Sequence, residues 1–317
     1  MLSAGEFHSL VCQPVNLIHG MSMRQRESTI ALLFLAPALL ALAVFLFYPI
    51  VQTAIYSLFD LEYSTRWREA AFVGLANYRA VVASREFWGS MRFTALFTVA
   101  AVTLEFVLGL SMALASFWVV RPLRGILRTI IVLPWAIPAI IQASIWRWLF
   151  NTDVGLIGAL AVGLGLAEQP PLFLADPTLA VASVILAYVW KGAAITAIFL
   201  MGGLAMVPQH LHDAAKMDGA RAWMRLRRIT LPLILPTILV VLLFRTLDAL
   251  RVFDIVYGLT GGGPGTTTDT LSSFAYKFYF TFVQFGRGSA YAMITFLLVM
   301  VLSLLYIRRI TPHLRFR

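Results

Sequence analysis

The sequence predicts an all-helical integral membrane chain with six spans, and three observations carry that expectation. Of its 317 residues 60% are hydrophobic and only 13% are charged, whereas soluble domains carry about 25% charged residues. Six segments reach the roughly 20 mostly apolar residues that a spanning helix needs. The cations collect on alternate connecting segments, as the positive-inside bias requires. The bilayer is therefore the solvent, which excludes a disordered chain, a disulfide scaffold and an ordinary cytosolic enzyme. The lone Cys12 has no internal partner for a disulfide.

The tail 1–28 contains no signal-peptide pattern, because the apolar run that follows is long enough to span and shows no cleavage site. Met21 or Met23 would be a natural start, leaving 1–20 as a flexible tail or a mis-called start. The expected spans are 30–50, 93–120, 129–146, 178–206, 231–250 and 288–307. The first, third and last carry no charge within these bounds. Pro37, Pro49, Pro134, Pro138 and Pro236 do not refute spans, since neighbouring helices can satisfy the freed carbonyls.

With the N-terminus inside, the inner segments hold Arg24, Arg26, Arg121, Arg124, Arg128, the run Lys216 to Arg228 and the basic C-terminal residues. Acids balance the cations of the outer segments, so the whole net charge of +10 lies on the cytoplasmic side. Orientation explains the basic balance, and a nucleic-acid partner is not needed. The tail 311–317 is also cytoplasmic on this reading.

The first outer loop, 59–91, carries Trp67, Phe72, Tyr78, Phe87 and Trp88 and reads as a short helical or interfacial segment. Its aromatics lie either on the membrane surface or against a partner. The second, 151–177, reads as a loop with a turn of helix. The third, TGGGPGTTTDT over 260–270, reads as flexible and polar, with a plain linker as the bland alternative. The inner loop 207–230 is amphipathic. Leu211, Ala214, Ala215, Trp223, Leu226 and Ile229 offer apolar contacts, and Gly219 interrupts the helical pattern as a turn between two helices would. Such a loop either lies on lipid or receives a soluble partner.

Four ionisable residues fall within spans. At about 1.5 Å of rise per residue, Glu105 and Lys191 lie about 22 Å, and Arg245 about 21 Å, from the inner ends of their helices, with Asp248 slightly higher. The four have no net charge and form one polar layer. Two readings stand: structural ion pairs, with Lys191 meeting Glu105 or Asp248, or a polar path for a hydroxylated solute. Arg245, Asp248, Arg251 and Asp254 are spaced i,i+3, so successive members can pair. Phe244, Phe253, Tyr257 and Trp190 are candidate aromatic platforms. The small residues Gly109, Ala113, Gly202 and Gly203 permit close helix approach.

The segment Asp213-Ala214-Ala215, three residues, Gly219, nine residues, then Ile229-Thr230-Leu231-Pro232 resembles the "EAA" coupling loop of bacterial ABC importer permeases. Every spacing matches, and Asp213 stands where that pattern has Glu. LFLAP at 33–37, EFVLGL at 105–110, VWK at 189–191 and the region 244–264 are similar to the carbohydrate branch, the maltose- and trehalose-type permeases. The resemblance runs from about residue 30 to 307.

The resemblance implies a type I importer fold over 29–310 with both termini cytoplasmic. It further implies a second permease subunit as partner, two ATPase subunits, and an extracytoplasmic binding protein that delivers the sugar. It implies an ATPase-coupling role for Asp213, Ala214, Ala215, Met217, Asp218, Gly219 and Ala220. Glu105, Lys191, Arg245, Asp248, Phe253, Asp254 and Tyr257 become candidates for the substrate path. No GxxxxGK[ST] motif occurs, so ATP and magnesium are expected on the ATPase partner and no cofactor or metal on this chain. The expected function is import of a di- or oligosaccharide such as trehalose or maltose. A permease for glycerol-phosphate or another polar solute is the nearer alternative, and a membrane transferase the distant one. The scattered His8, His19, His210, His212 and His313 give a transferase no obvious site, and nothing resembles a channel filter.

Overall fold

A computed structural model describes residues 23–63 and 69–314. The expected tail 1–20 lies outside the described residues, as does Trp67. The chain divides into two units, residues 1–55 and 56–317.

In the first unit helix α1, Met23–Leu42, passes through a π turn, Ala43–Phe47, into α2, Tyr48–Tyr56. Pro49 has no N–H for the carbonyl four residues earlier, and the widened turn lies at that point. The run Ala31–Tyr56 is long and apolar enough to span, with a mean hydropathy of 2.5.

The second unit opens with a two-stranded hairpin, β1 (Phe59–Asp60) against β2 (Ala71–Phe72), in antiparallel register. Helix α3 covers Ala76–Ala83. Ser84 then caps α4, Arg85–Trp118, by accepting from the Phe87 N–H at 3.2 Å. Thus 85–91 belongs to the spanning helix and not to an interfacial loop. Its 34 residues extend about 50 Å, well beyond a hydrocarbon core about 30 Å thick. The first loop is corrected at two aromatics as well. Phe87 is buried against Val81, Phe274 and Tyr291, and the Tyr78 hydroxyl is 2.7 Å from that of Ser57. Trp88 remains exposed.

The expected third span is a broken one. Helix α5, Arg121–Ala136, and α6, Ala139–Leu149, meet at 96°. Ile137 is extended because the following Pro138 disfavours the helical region, and Pro138 donates no hydrogen bond. Helix α7, Leu156–Gly163, is the helical piece expected in the second loop. Helix α8, Pro177–Ala205, is capped by the Asp176 carboxylate, which accepts from Thr178 and Leu179. After α9, Gln209–Met217, a short helix α10, Ala222–Arg225, runs through a π turn into α11, Leu231–Leu233. The fifth span is broken too. The segment Ala222–Leu233 and α12, Leu235–Leu250, are bent by 70° at Ile234, between Pro232 and Pro236. Helices α13 (Asp254–Leu259) and α14 (Leu271–Tyr276) precede α15, Phe285–Leu314. The last helix continues unbroken into the expected tail 311–317.

Helices α4 and α8 form the central pair. At one end Phe93, Phe97, Val184, Ala187, Val256 and Leu259 make an apolar core, and at the other Ala113, Leu200, Leu204, Ile234 and Ile238 make a second. Gly109 lies against Thr196 and Gly203 against Thr237 with no room for a side chain, whereas Gly202 faces open space. Close approach therefore accounts for the first two and not the third.

The loop 260–270 is not a plain flexible linker. Thr268, Asp269 and Thr270 are fully buried. The Asp269 carboxylate accepts from Lys277 Nζ at 2.7 Å and from Ser273 Oγ at 2.9 Å. Burial nevertheless pushes its pKa above the usual carboxylate range, against the opposing pull of Lys277 and Ser273. Thr270 and Ser273 form a reciprocal capping box at the start of α14.

Candidate functional site

The polar layer assembles where α4, α8 and α12 cross. Glu105, fully buried on α4, accepts both arms of Arg245 on α12: Nε to Oε2 at 2.8 Å and Nη2 to Oε1 at 2.7 Å. This fork geometry is the strong form of an ion pair. Arg245 Nη1 also donates to Asp248 Oδ2 at 3.2 Å, and Arg251 Nη2 to Asp248 Oδ1 at 3.0 Å. The guanidinium carbon of Arg245 lies 5.4 Å from the centre of the Tyr188 ring. A Cβ on Gly192 would occupy the position of the Glu105 carboxylate, so only glycine fits there.

Lys191 does not meet Glu105 or Asp248, contrary to the expectation. Its Nζ donates to the Ile137 carbonyl at 2.6 Å. That carbonyl is freed by the break between α5 and α6, and in a membrane protein it needs a partner. The nearby Gln142 Nε2 donates to the Ala187 carbonyl, so two side chains tie the elbow to α8. The sequence pattern also misleads at Asp254. Helix α12 ends at Leu250, and Asp254 begins α13 instead of extending the i,i+3 ladder.

These groups surround a cavity of about 490 Å³. Lys191, Arg245, Asp248, Arg251 and Asp254 supply its charge, with Gln142 as a neutral polar group and Trp135, Tyr188 and Phe253 as aromatic walls. Glu105 lies behind Arg245 and does not line the cavity; it holds the Arg245 guanidinium in place. Phe253 stacks on Tyr257 with ring centres 5.2 Å apart, and Tyr276 closes the cluster at 4.9 and 5.0 Å. Phe244 is exposed and does not line the cavity, and Trp190 packs edge-on against Trp146. Sequence reasoning missed Gln142, Trp135, Tyr188, Gly192 and Tyr276. Gln142 alone carried a signal, as the one amide within an apolar span. Tyr188 and Gly192 flank Lys191 on one helix, and their roles depend on α4 and α12 crossing it.

The loop 207–230 builds the second feature. Helix α9 holds Asp213, whose Oδ1 accepts from Lys216 Nζ at 2.9 Å and from Gln209 Nε2 at 3.3 Å. Those donors lower the Asp213 pKa below the usual carboxylate range, the Lys216 hydrogen bond most of all. The helix ends as the Gly219 motif predicts. Gly219 has a φ of +76°, and the Gly219 and Ala220 N–H groups return to the Lys216 and Ala215 carbonyls at 3.0 and 2.8 Å. This is the glycine-terminated helix end of the Schellman type. Asp213, Ala214, Met217 and Asp218 are exposed, with Ala215 and Ala220 half-buried. Met217 is 89% and Trp223 68% exposed, an apolar surface suited to a partner.

Residues 105–315 match the profile of the binding-protein-dependent transport system inner membrane component. The chain is 39% identical over 287 residues to the trehalose/maltose transport system permease protein MalF of Thermococcus litoralis, covering 90% of this chain and 95% of that protein. It is 35% identical to the trehalose transport system permease protein SugA of Mycobacterium tuberculosis, covering 90% of each. It is also 35% identical to the sulfoquinovosyl glycerol transport system permease protein SmoG of Agrobacterium fabrum, covering 89% of this chain and 90% of that protein. Among solved structures, a bacterial ABC transporter that imports alginate aligns with a TM-score of 0.78 at 22% identity, over 92% of this chain and 98% of that one. The broken spans, the glycine-ended loop helix and these matches lead to one assignment: the chain belongs to the binding-protein-dependent transport system inner membrane components, the permease subunits of ABC importers.

Proposed function

We propose that this chain forms half of the membrane pathway for a neutral di- or oligosaccharide of the trehalose or maltose class. A binding protein delivers the sugar outside, a second permease subunit completes the pathway, and two ATPase subunits bind ATP and magnesium. Both termini are cytoplasmic, which places α9 inside. The observation that carries the sugar reading is the cavity beside Arg245. Its three cations are offset by Asp248, Asp254 and the supporting Glu105, so the site as a whole is neutral. Alternating donors and acceptors suit hydroxyl groups, and Trp135 and Phe253 offer faces for a sugar ring. The trehalose and maltose relatives support the same class.

In this reading α9 enters a cleft of the ATPase with Asp213, Ala214, Ala215 and Met217, and the turn at Asp218, Gly219 and Ala220 fixes its exit. Lys191 and Ala205 are fourteen residues apart on α8, about 21 Å along the axis, so one rigid helix links the cavity to the coupling loop. The test is uptake by the reconstituted importer with labelled trehalose, maltose, longer maltodextrins, glycerol 3-phosphate and a sulfonated sugar. Preferential uptake of the neutral saccharides supports the reading. Uptake confined to the anionic solutes overturns it.

A further inference from the structure

A second cavity, of about 800 Å³, lies between α9 and the ends of α4 and α8. Its walls differ in chemistry. Phe117 and Leu204 form part of an apolar side, while Arg124, Lys216 and Arg225 form a cationic side, and among the described residues no carboxylate lines it. Lys216 is paired with Asp213 at 2.9 Å. Arg124 Nη2 donates to the Phe117 carbonyl at 3.0 Å, and Arg225 Nη1 to the Ala220 carbonyl at 2.7 Å, which fixes both guanidinium groups without neutralising them. Arg128, one helical turn after Arg124, lies 5.5 Å from the Phe117 ring centre. Arg124 and Arg225 are each held by a backbone carbonyl and keep further guanidinium donors for an acceptor from outside the chain.

We infer that this cavity binds a phosphate group. Its several acceptor oxygens match fixed guanidinium donors, and its charge offsets an unbalanced basic wall. The apolar wall of Phe117 and Leu204 fits the glycerol and acyl portion of a phospholipid, and inorganic phosphate has the same headgroup chemistry. The site is separate from the cavity beside Arg245 and shares no lining residue with it.

The test uses the full chain purified in a neutral detergent. Native mass spectrometry follows retention of phosphatidylglycerol and phosphatidylcholine, and thermal unfolding is measured with and without inorganic phosphate. We expect retained phosphatidylglycerol to exceed phosphatidylcholine. We also expect the Arg124→Gln/Arg225→Gln variant to lose affinity by about tenfold or more, the equivalent of one charge-assisted hydrogen bond. A preference for phosphatidylglycerol lost in the variant identifies lipid as the source. Protection by inorganic phosphate, without lipid preference and absent in the variant, identifies the free anion. Where the variant does not fold, a photoactivatable phosphatidylglycerol on the unaltered chain decides, with inorganic phosphate as competitor. Cross-links within residues 114–128 or 204–230, or their loss on adding phosphate, support the site. No preference and no protection, equal binding by the variant, or cross-links only elsewhere overturn it.

Discussion

Gly192 and Glu105 show how a single absent side chain supports a charged site within the membrane. Glu105 has no solvent, and Arg245 satisfies both of its oxygens. Removing one member of such a pair leaves an uncompensated buried charge, costing about 3–5 kcal/mol, and removing both costs less. Glu105→Gln should therefore lower the thermal stability of the detergent-solubilised chain by an amount in this range. Glu105→Leu with Arg245→Met should recover much of it, and equal losses would contradict the pairing. Gly192→Ala should resemble Glu105→Gln, since its methyl displaces the carboxylate. Lys191→Met should cost about 1–3 kcal/mol by stranding the Ile137 carbonyl, and neutralising Asp248 should not rescue it. The polar layer itself was legible in the sequence, because charges in apolar spans are few and helical rise gives their depth. Their partners were not. The i,i+3 spacing describes one helix, whereas Glu105 meets Arg245 across two, and Lys191 answers a carbonyl that becomes available only at a break.

The elements fared differently according to whether local chemistry or tertiary contacts shape them. The end of α9 was readable, since glycine is the residue that adopts positive φ without a steric penalty. Gly219→Ala should cost about 1 kcal/mol. Gly219→Pro or Ala215→Trp should leave membrane insertion intact while abolishing co-purification of the ATPase or sugar-stimulated hydrolysis. Normal values for both would exclude docking by this loop. The breaks at Ile137 and Ile234 were less readable. Prolines mark both, yet proline is tolerated in straight spans when neighbours satisfy the carbonyls, and here Lys191 and Gln142 instead stabilise a sharp elbow. The loop 260–270 looked like a linker by composition. Its order comes from Asp269, Thr270 and Ser273 bonding to one another and to Lys277, contacts that composition does not encode. Asp269→Ala should raise protease sensitivity in that loop, measured by limited digestion of the purified chain. Unchanged cleavage would contradict a structural role for the ion pair.

Apolar length and charge asymmetry together define a membrane chain, and the family match agrees with that reading. Cysteine labelling from outside, in a chain lacking Cys12, should reach positions near Glu69 and Thr267 and not those near Arg124 or Arg225. The reverse pattern would invert the proposed orientation and remove α9 from the ATPase side. Exposed apolar residues such as Met217 and Trp223 are consistent with a subunit of a larger machine. We propose that the Arg245 cavity carries a neutral sugar and that α9 couples its passage to ATP hydrolysis elsewhere. The most direct measurement is labelled trehalose uptake into proteoliposomes containing the complete importer, with Asp248→Asn compared at equal assembly. Uptake should require both ATP and the binding protein, and the variant should import at least about tenfold more slowly, equivalent to roughly 1.4 kcal/mol of lost interaction. Uptake independent of ATP or of the binding protein, or an Asp248→Asn rate equal to that of the unaltered chain, would exclude this cavity as the route of ATP-driven sugar import.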